Sequence, residues 1–259
     1  MKKLVNEVGK SYPTTRSGDI EIVEYFNYHK VLIRFKDTGR EKFVQMKEVR
    51  DGRVSDRFLP HRGGVGVVGE GEYKSKIDGK YTKEFAVWKD MVDRCCSKKG
   101  NLPAYKDVEV CEEWLDFQNF AAWCNEQIGF KVIDEKNKIF ALDKDILVKG
   151  NKVYSPNTCC FVPQEVNSTL TLRSNHRGSL PLGVSPRYVK TTGKTRFTSA
   201  IQVDLKTIHL GTFDTPEKAF QVYKTAKEDR LKCLAEKWKD FITEKCYNAL
   251  LNWEIKIDD

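Results

Sequence analysis

The hydrophobic and polar positions near the start of the chain alternate with a period of two. Residues 19–25, 28–36 and 41–47 each follow this alternation, and residues 37–39 (DTG) separate the second run from the third. Such alternation is typical of strands that bury one face, and a short sequence with glycine favours a turn between them. We therefore expect a small β-barrel or meander in residues 1–58.

The pattern changes after a glycine-rich segment. Residues 59–72 contain five glycines, which predicts either a linker or a loop that lies close to another part of the molecule. We assign residues 59–80 to this segment. In residues 83–97 and 112–128 the apolar positions then recur every three or four residues, which predicts two helices whose aromatic stripes belong to a core.

Residues 138–170 predict a strand, a turn-rich loop, a second strand at 160–162 and a helix over 164–170. This order is a ββα hairpin, in which the end of the first strand lies against the first turns of the helix. Asp143 ends the first strand and Asn167 lies 24 residues later on the helix. Two such oxygen ligands can hold one hard divalent cation, Mg²⁺ or Mn²⁺, with water and a phosphate.

A third module follows, with strand-like runs at 182–185, 197–203 and 207–211. The residues Thr215-Pro216-Glu217 have the order of a helix start, and the helix should continue, with a kink, to about Trp253. The fold class expected is therefore α+β and modular. The central ββα domain takes residues 81–172, the sheet-plus-helix domain 173–230, and a helical extension 231–259.

The formal net charge is +8, and it is unevenly distributed. Residues 1–70 carry +4 and residues 168–230 carry +6, whereas the segment between them carries −1. Basic segments attract polyanions, above all nucleic acid. No apolar run is long enough for a membrane span and the start is not typical of a secretory signal, so we expect a cytoplasmic protein, in the host cell if it is viral. The cysteines form no C-x-x-C pair, so no zinc is expected.

The ββα segment carries recognisable motifs. They are LDKDIL at 142–147, Gly150-Asn151, YSPNTCCFVP at 154–163 and Asn167, preceded by Trp88-x-x-Met91-x-x-Arg94-Cys95 and Val110-Cys111-x-x-Trp114-x-x-Phe117. These motifs resemble the ββα-metal core of HNH endonucleases, most closely the zinc-free, phage-type members related to intron homing enzymes. The resemblance implies that Asp143 and Asn167 bind the metal. It also implies a loop-fixing asparagine, which here is Asn157 or Asn151.

The chain departs from this family at Lys144, which stands where HNH enzymes have the histidine that activates water. Between Asp143 and Asp145 the lysine should stay protonated, so it could hold a phosphate or steady a transition state. Asp145, or an imported His176 or His61, is then the alternative base.

The third module also resembles a known family. The matching residues are Leu182-Gly183-Val184, FTSAI at 197–201, LGTFDT at 210–215, Ala219 and Tyr223. Over residues 180–228 they resemble the AP2 DNA-binding domain, in which a three-stranded sheet lies in the major groove and a helix packs behind it. Phe197 stands where that family usually has a tryptophan.

Alternate side chains of the predicted strands share one solvent face, from which they can reach bases and phosphates. The candidates for DNA contact are Arg187, Lys190, Lys194, Arg196, Thr198, Gln202 and Lys206. We expect the two arginines to contact bases or phosphates and the lysines to contact phosphates.

The predicted function is a metal-dependent DNA endonuclease of the homing or phage type that binds double-stranded DNA. One ββα site cuts one strand, so the protein is expected to act as a nickase or as a homodimer. One alternative is a DNA-binding protein whose HNH core no longer cuts. The other is an interaction protein that binds a viral or host partner through residues 1–70.

Overall fold

The structure of the protein is a computed structural model that describes residues 7–60, 62–96, 107–171, 180–204 and 206–259. The chain divides into two compact units, residues 1–122 and 123–259. Both helices and strands are abundant, so the expected α+β class is confirmed. The alternative bases His61 and His176 lie outside the described residues.

The first unit begins with a four-stranded antiparallel sheet. Its elements are β1 (Ser11–Pro13), β2 (Asp19–Asn27), β3 (Lys30–Phe35), β4 (Glu41–Val44) and the short helix α1 (Met46–Arg50). The strands are hydrogen-bonded in chain order, so of the two predicted forms the sheet is the meander; the described residues form no barrel. The alternating apolar residues of β2 and β3 pack into one core, as their period predicts.

The rest of the first unit is a hairpin and an aromatic-rich helical part. Its elements are β5 (Lys76–Ile77), β6 (Lys80–Tyr81), α2 (Lys83–Cys96), β7 (Glu109–Val110), a 3₁₀ turn (Glu112–Leu115) and α3 (Phe117–Glu126), whose last residues belong to the second unit. Trp88, Trp114 and Phe117 are fully buried, which confirms that the aromatic stripes are core. The helix predicted over 112–128 is interrupted because Asp116 is extended and its carboxylate accepts the N–H of Gln118, as an N-cap does.

The glycine-rich segment packs against the start of α3 and is therefore a loop that lies close to its neighbours. Val67 N donates to Leu115 O (2.9 Å) and Phe117 N donates to Val67 O (3.0 Å). A Cβ at Gly69 would come 2.4 Å from the Asp116 carboxylate, and one at Gly71 would come 2.4 Å from the Gln118 amide. These approaches explain why glycine recurs here.

The second unit begins with the ββα element. It consists of a 3₁₀ turn (Ile128–Lys131), β8 (Ala141–Asp143), β9 (Val153–Tyr154), β10 (Cys160–Val162) and α4 (Gln164–Leu170). Strands β8 and β10 are antiparallel, with Asp143 opposite Cys160. The predicted strand 138–147 is shorter than expected because the Asp143 carboxylate accepts the N–H groups of Asp145 and Ile146 and turns the chain.

The sheet-plus-helix module completes the second unit. Its elements are β11 (Val184–Val189), β12 (Lys194–Val203), β13 (Lys206–Phe213), α5 (Pro216–Trp238), a 3₁₀ turn (Lys239–Phe241) and α6 (Glu244–Leu251). The three strands form an antiparallel sheet, and the predicted cap is present because Thr215 Oγ1 accepts the N–H of Lys218 (3.3 Å). The predicted kinked helix is two helices, since α5 ends at Trp238 and Thr243 caps α6.

Candidate functional site

Asp143 is fixed in orientation at the end of β8. Its Oδ1 accepts the backbone N–H of Asp145 at 2.7 Å and that of Ile146 at 2.9 Å. Burial raises the pKa of the Asp143 carboxyl, while these two hydrogen bonds act in the opposite direction by favouring the charged form.

Asn167 lies in the first turns of α4, which packs against β8. The structure therefore brings together the two elements that carry the predicted metal ligands, as the ββα order implies. Carboxylate and amide oxygens are the donor types that Mg²⁺ or Mn²⁺ prefers. Within the described residues no group of three His, Cys, Asp or Glu side chains is placed to hold a metal ion. The expected cation would therefore depend on these two donors together with water and phosphate.

Lys144 is a buried cation with a complete set of acceptors. Its Nζ lies 2.7 Å from both carboxylate oxygens of Asp145 and 3.0 Å from the carbonyl oxygen of Asn151. Its side chain is only 10% exposed, whereas that of Asp145 is 46% exposed. Lys144 is thus the ion-pair partner of Asp145, and the Asp145 carboxylate is the member of the pair that solvent reaches.

Asn151 fixes the loop between β8 and β9. Its Nδ2 donates to the carbonyl oxygens of Lys144 (2.9 Å) and Val153 (2.7 Å), and its Oδ1 accepts the N–H of Val153 (3.2 Å). Asn157, the other candidate, lies exposed in the turn before β10. Of the two predicted asparagines, Asn151 is the one that makes the loop-fixing contacts.

The sheet of the second unit has an apolar face and a polar face. Val184, Ile201 and Val203 pack against Phe220 and Tyr223 of α5. Because side chains alternate along a strand, the intervening residues of β12 project from the opposite face, away from α5. We call this opposite face the polar face. Its polar residues, from β12 and the positions paired with them, are Arg187, Lys194, Arg196, Thr198, Gln202, Ser185, Thr207, His209 and Thr212; the register places Val189 and Ala200 on the same face.

Arg187 and Arg196 lie directly opposite each other in the register of β11 and β12. The Arg196 Nε lies 3.1 Å from Asp214 Oδ1, and one of its terminal nitrogens donates to the carbonyl oxygen of Thr212 (3.2 Å). The guanidinium is therefore held across β13. Two positive charges directly opposite each other in a sheet repel, and an anion bound beside both of them offsets this repulsion.

Two of the predicted DNA contacts lie elsewhere. Lys190 is in the turn between β11 and β12. Lys206 pairs with Val203, which belongs to the core-facing set, so the register places Lys206 on the other face of the sheet. Sequence periodicity within one strand could not show this, because the turn between strands decides which face the next strand presents.

Glu165, which no sequence pattern indicated, joins the ββα element to α5. Its carboxylate accepts hydrogen bonds from Lys237 Nζ (2.8 Å) and Trp238 Nε1 (2.5 Å), and it lies 3.6 Å from Arg230. We call these four residues the Glu165 cluster. The partners lie 65 or more residues away in the chain, so no local signal could have indicated them.

Comparisons with protein-family models, with curated proteins and with solved structures found no match. Among the residues that the structure describes, no helix is long and apolar enough to cross a membrane.

Proposed function

We propose that the protein binds double-stranded DNA through the polar face and acts on it as a metal-dependent endonuclease of the HNH type. One observation carries the proposal. The oriented Asp143 carboxylate lies on a strand packed against the helix of Asn167, within the same unit as a sheet that presents opposed arginines. We assign phosphodiester hydrolysis to the elements of Asp143 and Asn167, and phosphate binding to the sheet with the opposed arginines.

Each residue has a distinct task in this proposal. Asp143 and Asn167 would hold Mg²⁺ or Mn²⁺, which when bound supplies charge stabilisation at the leaving oxygen. Asp145 accepts a proton from the attacking water at a carboxylate oxygen, and the Lys144 ammonium keeps that carboxylate in place. Arg187 and Arg196 hold the DNA backbone, and Asn151 fixes the loop. One such site cuts one strand.

Plasmid cleavage in Mg²⁺ or Mn²⁺ tests the catalytic part. We expect the native chain to relax supercoiled plasmid and both Asp143→Asn and Asn167→Ala to lose this activity. Asp143→Asn keeps an oxygen acceptor for the two backbone N–H groups, so it changes the charge without removing the turn. Ser168→Ala, an exposed neighbour on α4, is the matched control. Equal cleavage by all four proteins would refute the site, and calorimetric titration with Mn²⁺ gives a second readout.

A second candidate function has its own support. The Lys144 ammonium is surrounded by three oxygen acceptors and stands where HNH enzymes have the imidazole that activates water. Both features favour a DNA-binding protein whose ββα element is only a scaffold. Under this alternative the native chain binds duplex DNA in a salt-dependent manner and leaves every plasmid intact. Arg196→Ala should weaken binding and reduce the salt slope by about 1 under either function.

A further inference from the structure

The hairpin of β5 and β6 is a basic two-stranded ribbon in the first unit. We define the basic ribbon as residues 73–83, which contain four lysines and a single acidic residue, Asp78. Every residue from Lys76 to Tyr81 is exposed, and Ile77 reaches 58% exposure. The exposed lysines Lys74, Lys76 and Lys80, together with Asp78, therefore give this thin, accessible element a net charge of +2.

The basic ribbon is anchored rigidly at its base. Thr82 Oγ1 donates to the carbonyl oxygen of Lys74 (2.8 Å) and accepts the N–H of Phe85 (3.3 Å), so one hydroxyl joins the ribbon to the first turn of α2. The ring of Tyr81 packs on that of Phe85 with centroids 5.1 Å apart. Asp78 and Gly79 take left-handed conformations (φ 50° and 77°), as a tight hairpin turn requires. A preorganised element loses little entropy when it binds.

Three lysines of the basic ribbon, Lys74, Lys76 and Lys80, are exposed and available for a partner. Within the described residues no carboxylate lies within ion-pairing distance of Lys74, Lys76 or Lys80. By contrast Lys89, which lies in the following helix α2, forms an ion pair with Asp90 at 2.8 Å. Lys76 Nζ instead lies over the Tyr81 ring, 4.8 Å from its centroid.

We propose that the basic ribbon is a second contact for duplex DNA, carried by the first unit. The major groove admits a two-stranded ribbon, and unpaired lysines on its two strands can reach the phosphates on both sides of the groove. Cross-strand pairing places Lys76 beside Tyr81 and Lys80 beside Ile77, so each face offers one cation and one apolar side chain. The inference rests on the proposed duplex binding and extends it beyond the polar face.

The test is the double variant Lys76→Ala/Lys80→Ala. Because both side chains are exposed, its thermal unfolding should match that of the native chain. Loss of two phosphate contacts should reduce the slope of log K against log salt by about 1.8 and weaken duplex binding on the order of tenfold near 0.1 M salt. The matched control is Lys47→Ala/Lys245→Ala, which removes the same charge from exposed helical positions.

The outcomes separate this inference from the function on which it rests. An equal loss in the control pair would show that only net charge matters, and would overturn the proposal. A loss confined to an RNA duplex would reassign the partner and overturn it as well. If Arg187→Ala/Arg196→Ala loses DNA binding while the ribbon variant keeps native affinity, the polar face stands and the ribbon fails. If the native chain does not bind duplex DNA at all, both fail.

Discussion

Replacing Glu165 should loosen the second unit at one identifiable place. This carboxylate accepts the Trp238 Nε1 N–H at 2.5 Å and the Lys237 ammonium at 2.8 Å, while its own side chain is only 20% exposed. The Trp238 ring also packs at right angles on Phe140, the residue just before β8. The Glu165 cluster therefore ties α5 to both chain segments that lead to the candidate metal ligands.

The contacts of Glu165 set the size of the expected decrease in the free energy of unfolding. In Glu165→Ala the buried indole N–H of Trp238 loses its acceptor, and a buried unpaired donor costs about 1–3 kcal/mol. The Lys237 pair adds at most about 1 kcal/mol, because that lysine side chain is 38% exposed and water screens the pair. We expect a decrease of about 1–4 kcal/mol in the free energy of unfolding. Glu165→Gln keeps an oxygen for the indole, so it should cost about 1 kcal/mol.

Urea unfolding of the three proteins measures this difference, and amide hydrogen exchange locates it. Protection should fall in α4 (164–170) and in the last turns of α5, while the amides of the first-unit sheet keep their native rates. The reasoning is refuted if Glu165→Ala is within 0.5 kcal/mol of the native chain, a limit taken from ordinary surface substitutions. It is also refuted if the glutamine variant is as unstable as the alanine variant.

Three further predictions concern other places in the fold. Gly183→Ala should lower the unfolding temperature and destabilise the chain by about 2 kcal/mol or more, because φ is +71° there and a Cβ would lie 2.0 Å from the Tyr223 ring. The Tyr12 hydroxyl, together with nearby cations, lowers the pKa of Glu7. The stability that the ionised Glu7 contributes should therefore be complete above its ordinary pKa of 4.5 and be lost as the pH falls through the lowered pKa. Among the free thiols the exposed Cys233 should react first with iodoacetamide, as peptide mass spectrometry will show.

Each of these predictions has a control in the same chain. Gly150→Ala introduces the same left-handed strain into open space, so equal destabilisation would show that contact with Tyr223 is irrelevant. Glu7→Gln should remove the acid-dependent loss of stability, and an unchanged pH profile would count against the Glu7 assignment. Cys246 is buried, and its alkylation at the rate of Cys233 under native conditions would contradict the packing of α6.

Local rules predicted those elements whose signals lie within a few residues. Helix α4 has the predicted bounds, and the Thr215 cap starts α5 because a hydroxyl, a proline and an acidic residue suffice to define a helix start. Three of the four strands of the first sheet followed from alternation alone, since one buried face fixes a period of two, whereas β1 has only three residues and was not predicted.

The features that escaped prediction depend on distant or very short pairings. Strands β5 and β6 have two residues each, too few to show any period, so residues 73–80 of the basic ribbon were assigned to the glycine-rich segment and residues 81–83 to the central domain. The face of Lys206 is set by its register with Val203, and the Glu165 cluster by tertiary contacts. Asn157 and Asn151 could not be separated because both lie in turn-rich sequence, whereas only the folded loop shows which amide spans it.

The two backbone hydrogen bonds to Asp143 have a consequence for how this protein evolves. The same carboxylate that is proposed to bind metal also ends β8 and starts the loop, so folding alone selects for an oxygen acceptor at this position. A lineage that gave up cleavage would still retain this residue, while Asn167, whose side chain no such turn requires, would be free to drift. Variation at Asn167 among descendants of this chain is therefore the better record of whether the proposed cleavage is under selection.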